Sequence, residues 1–165
     1  MPSMTATGEE EGDARPDRLQ GFFKRPLFLS LTIGIPFCIF KLLFGSVAFR
    51  VGSPEMPAIA ITGMLIFAWA GLDLVMNAGN AAYDLFSRKS PFEYCSIAEI
   101  GRLFGKPAVF LAIDTLITFC IISAMLWSRW ITLLTPTEAK LWAAATTLNL
   151  ISLSLVLLYN ETRKT

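Results

Sequence analysis

Residues 56–86, MPAIAITGMLIFAWAGLDLVMNAGNAAYDLF, are almost wholly apolar as far as Leu72. Then Asp73, Asn77, Asn80 and Asp84 recur at steps of four, three and four. On a helix that spacing makes one polar stripe. A segment this apolar is read as crossing a bilayer, where lipid satisfies neither carboxylates nor amides. The stripe must therefore face protein.

The composition agrees. The chain is 54% hydrophobic and 16% charged, against about 25% charged in soluble domains. Net charge is +1, so no basic surface argues for nucleic acid. The absence of histidine removes the commonest general base, the commonest zinc ligand and the usual haem ligand. Cys38, Cys95 and Cys120 have no CxxC spacing and read as small hydrophobes, not as a disulfide framework or metal site. No phosphate-binding or dinucleotide motif occurs, and no nucleophile stands beside a base. The expectation is a chain that is not an enzyme and has no cofactor.

The pattern predicts an all-α integral membrane protein. Residues 1–20 carry an acidic run at Glu9, Glu10, Glu11 and Asp13, and read as a disordered tail. They lack the basic start and short apolar core of a signal peptide. Phe22, Phe23, Lys24, Arg25 and Pro26 form an interfacial anchor. The membrane domain, residues 21–160, holds four spans at 27–47, 57–77, 107–127 and 141–159, with a tail at 161–165. Gly34 and Pro36 predict a kink in the first span, and the second is read as able to continue through Asp84. Between the second and third spans, Ser96 and Glu99 match a capping box. It precedes an apolar stripe of Ile97, Ile100, Leu103 and Phe104. This predicts a short amphipathic helix, 96–104, on the cytoplasmic membrane surface. Thr135 or Thr137 is expected to cap the last helix, and Ala145, Asn149 and Ser152 to give it a small, polar face.

Lysine and arginine counts orient the chain. Ten fall in the two tails and the middle connection (Arg15, Arg18, Lys24, Arg25, Arg88, Lys89, Arg102, Lys106, Arg163 and Lys164). Three (Arg50, Arg129 and Lys140) fall in the other two turns. The positive-inside rule then places both termini in the cytoplasm of a plasma or bacterial inner membrane. Cys95, in the cytoplasmic connection, is expected to be the readily labelled thiol.

With spans at those limits, Asp73 and Asp114 share one depth in the cytoplasmic half. Lys41 lies about 10–15 Å higher by helical rise and snorkels outward. Two acids without a basic neighbour should not both be charged. Asp73, Asn77, Asp114 and Thr118 are thus the candidate site, as a helix–helix polar cluster or a proton or cation site. A small chain with little outside the membrane has lipid and other spans to recognise. The expected function is an accessory, assembly or scaffold subunit of a membrane complex, partnered by other subunits or by itself. The alternative is a small oligomeric transporter or channel using the aspartates.

Overall fold

The computed structural model describes residues 26–52, 56–86, 93 and 95–162. The acidic tail and the anchor through Arg25 lie outside the described residues. The order is α1 (Pro26–Leu29), a π-helical segment (Ser30–Gly34), α2 (Ile35–Gly52), α3 (Pro57–Leu85), α4 (Ser96–Leu103), α5 (Pro107–Trp127), a 3-10 turn (Trp130–Leu133) and α6 (Pro136–Thr162). No strand occurs among the described residues. Three helices, Ser30–Gly52, Pro57–Leu85 and Pro107–Trp127, are long and apolar enough to cross a membrane.

Prolines set several starts. Pro57 and Pro107 lie in the first turns of α3 and α5, where a missing N–H leaves no bond unmade. Pro36 has the opposite effect, because inside a helix it removes a bond to the preceding turn. The chain answers with the π segment immediately before it, at the position where the kink is expected.

The core forms around α2. Its Phe37, Phe40, Leu43 and Val47 pack with Met125 of α5 and with Trp142 and Ala145 of α6. Phe40 meets Trp142 edge to face, with centroids 4.8 Å apart. On its other side α2 lies very close to α3 at two glycines. A Cβ on Gly45 would come within 2.8 Å of the Gly63 carbonyl oxygen, and one on Gly63 within 2.6 Å of the Phe49 nitrogen. Both contacts are to backbone, so only glycine lets the helices approach so closely. α5 and α6 each pack on α2 and make little contact with each other.

The cap of α4 differs from the expected one, whereas Thr135 caps α6 as expected. Cys95, not Ser96, is the N-cap of α4, its Sγ accepting from Ala98 N at 3.4 Å. Glu99 accepts from Glu93 N at 3.1 Å instead of closing a box with Ser96. A reciprocal box stands at α6: Thr135 Oγ1 accepts from Glu138 N at 3.3 Å, and Glu138 Oε2 accepts from Thr135 N at 2.8 Å. α4 buries Ala98 and Gly101 and leaves Ile100, Leu103 and Phe104 exposed. α6 runs from Pro136 to Thr162, beyond the expected 141–159 at both ends.

Candidate functional site

The polar stripe of α3 faces inward, as its spacing requires. Asp73, Asn77 and Asn80 are buried, and each stripe residue is used within the chain. Asp84 Oδ2 accepts from Leu27 N at 3.3 Å. Asn80 Nδ2 donates to the Glu93 carbonyl at 2.9 Å. Asn77 Nδ2 donates to the Asp73 carbonyl at 3.0 Å and lies 3.7 Å from Cys38 Sγ. Gly34, in the π segment, sits against the Asn77 side chain, and a Cβ there would lie 2.6 Å from Asn77 Cγ.

Lys41 overturns its expected place. It does not snorkel; it is 1% exposed and joins the two acids. Its Nζ lies 3.0 Å from Asp73 Oδ2 and 2.6 Å from Asp114 Oδ1. The expected depth gap closes for two reasons. α2 continues past residue 47 to Gly52, which abuts the Ala60 backbone of α3. From that contact Lys41 lies eleven residues back and Asp73 thirteen residues on, a difference of about 3 Å. The lysine side chain also leans toward the N-terminus of its helix, the direction in which Asp73 lies.

Further contacts surround the three groups. The ring of Trp69 covers the ammonium, with Nζ 4.2 Å from its centroid. Asp73 Oδ1 accepts from Ser96 N at 2.8 Å and from Ser96 Oγ at 2.7 Å, while Ser96 Oγ accepts from Trp69 Nε1 at 2.9 Å. Asp73 thus acts from another helix on the N-terminus of α4, where free N–H groups and the helix dipole favour an anion. Cys95 reaches Asp114 with its thiol. Burial, with the Asp114 charge behind it, pushes that thiol up to about 12. Cys95 is therefore a buried, unreactive thiol, contrary to the ready labelling expected from sequence, while Cys120 is exposed on α5 within a helix apolar enough to cross a membrane.

Of the four candidate residues, the structure joins Asp73 and Asp114 through Lys41. Asn77 lies one turn along α3 from Asp73. Thr118 Oγ1 donates back to the Asp114 carbonyl of its own helix at 2.9 Å. Lys41, Trp69 and Ser96 were missed as members. The capping-box pattern at Ser96 drew attention to the right residue for the wrong bond.

A cavity of about 490 Å3 adjoins the cluster, bounded by α2, α3, α5 and α6. Lys41, Asp73 and Asp114 line it together with Asn149 and Ser152, and its other walls are mostly apolar.

These features define a helical chain with three helices apolar enough to cross a membrane and a buried, three-helix ion cluster. Beyond that class, no protein-family model, curated protein or solved structure matches the chain.

Proposed function

We propose that the chain is a four-span, non-catalytic membrane protein acting as an accessory, assembly or scaffold subunit of a membrane complex. The observation that carries this reading is the inward use of its charge. Lys41 is taken up by Asp73, Asp114 and Trp69, and Asp84 holds the start of α1. The outward faces of α3, α5 and α6 are built of large apolar residues such as Leu65, Val75, Leu116 and Leu157. Such surfaces recognise lipid or other spans. In this reading α6 is the fourth span and both termini are cytoplasmic. α4 lies at the inner surface, with Ile100, Leu103 and Phe104 in the interface. Purification in mild detergent tests it. A stoichiometric membrane partner or a stable self-assembly supports the proposal, and a monomer without partners overturns it.

A second reading, a small oligomeric transporter or channel, is favoured by the cavity that reaches Asp114 and Lys41. Ion flux in proteoliposomes that is lost in Asp114→Asn would favour it. Flux absent from the parent protein would dismiss it.

A further inference from the structure

The cluster brings two carboxylates to one ammonium, so with all three ionised one negative charge is in excess. Asp73 is held by Ser96 and Lys41 together. Asp114 has Lys41 on Oδ1 and the neutral Cys95 thiol beside it, and lies along the cavity. An uncompensated carboxylate in an apolar medium is costly, and a mobile cation in the cavity would relieve it.

A second, independent feature faces the same space. Ser152 of α6 lines the cavity, is 2% exposed, and its Oγ has no hydrogen-bond partner among the described residues. Hydroxyls on helices ordinarily donate to the carbonyl one turn back, as Thr146 does to Trp142 and Thr147 to Ala143 on this helix. Ser152 does not. A buried hydroxyl with no partner and one of two carboxylates that share a single ammonium thus border one volume.

The remaining walls fit an apolar body. Phe37 and Phe119 stand edge to face at 5.7 Å, and Leu150 lies on the α6 side. Both Phe119 and Leu150 are also exposed on the outer surface, at 54% and 59%, so the space can be entered sideways from the lipid phase. Its volume is that of a pocket for a small organic molecule.

We propose that this cavity binds a lipophilic organic ammonium ion. Its N–H groups meet Asp114 and Ser152, and its apolar body lies between Phe37, Phe119 and Leu150. The proposal names the ligand class for the cation site of the second reading but requires no movement. Binding without flux would sustain it and dismiss transport.

The test is titration calorimetry on the full chain in mild detergent, with 1-adamantylammonium against its neutral isostere 1-adamantanol. The expected result is saturable binding of the ammonium, about ten-fold tighter or more than the alcohol. Asp114→Asn should bring the two compounds to equal affinity. Ser152→Leu and Leu150→Trp fill the cavity but leave the ion cluster intact. Both should abolish saturable binding while the thermal transition is kept, and they carry the test if Asp114→Asn does not fold. Equal affinity for the two compounds in the parent chain overturns the proposal. So does uptake that grows only with the amount of detergent, which would mean simple partition, or ammonium binding unchanged in the filled variants.

Discussion

Lys41 is buried among two acids and an indole, and each neighbour depends on it. Removing the lysine leaves two carboxylates in one apolar site, whereas removing one acid leaves a neutral pair. Asp114→Asn should therefore fold with a loss of about 1 kcal/mol, because Lys41 keeps Asp73. Asp73→Asn should lose more, about 1–3 kcal/mol, since Asp73 also holds Ser96 at the start of α4. The double variant leaves an unpaired ammonium and should lose at least about 3–5 kcal/mol. Reversible unfolding in mixed micelles measures all three. A double variant no less stable than the sum of the singles would rule out a charged cluster. The inward stripe of α3 was legible in the sequence, because helical spacing and the intolerance of lipid for amides leave it one direction. The cation within reach was not legible. Its depth depends on the overlap of α2 with α3 and on the lean of a long side chain, and neither is written in periodicity.

At the scale of elements, glycine contacts set the overlap of α2 and α3. Gly63→Val would press a branched side chain onto the Phe49 backbone, which cannot swing aside as a side chain could. It should cost about 1–3 kcal/mol and shift Lys41 relative to Asp73. Gly71→Ala, with nothing near its Cβ position, should be nearly neutral in the same unfolding assay. Equal losses at the two sites would refute the close-approach account. The junction of α2 with α6 is electrostatic. Arg50 Nη1 lies 2.9 Å from Glu138 Oε1, and Nη2 lies 3.0 Å from Oε2. That pairing, with the Thr135 cap, holds the Glu138 carboxyl down at about 2, below its ordinary 4.5. A carboxylate held low when folded stabilises above its unfolded value and loses that contribution as pH falls through its folded value. Stability from this pair should therefore be intact above about 4.5 and fade toward about 2. The amount is on the order of 1 kcal/mol, because Arg50 is partly open to solvent. In Glu138→Gln the acid limb of a stability–pH curve should flatten over that interval, and an unchanged limb would remove the pair from the account. Proline starts and the extent of α5 were legible here, since both follow from local chemistry. The exchange of caps between Ser96 and Cys95 was not, because Asp73 competes for Ser96 from a distant part of the chain.

At the scale of the whole molecule the number of crossings fixes the sides on which the two termini lie. α2 with its π segment, α3 and α5 are apolar enough to span. α6 has the length, with 27 residues, or about 40 Å of helix. Its apolar run is broken by Thr146, Thr147, Asn149, Ser152 and Ser154. Trp142 and Ala145 nevertheless pack into the core of α2, and Thr146 and Thr147 satisfy their hydroxyls on their own helix. Thr146 and Thr147 thus need no outside partner and Ser152 is buried, which a hydropathy average does not register. Four crossings return the C-terminus to the side of the N-terminus, and three leave them opposite. Paired reporters fused to the two ends should both report the cytoplasm. In a chain lacking its native cysteines, Arg129→Cys should react with an impermeant maleimide on intact cells. Arg102→Cys should react only after the cells are opened. Both positions are exposed, so burial cannot mimic membrane protection, as it would at Cys95. A C-terminal reporter outside, with the two cysteine results unchanged, would show that α6 does not cross. Reversed labelling at Arg102 and Arg129 would instead overturn the orientation itself.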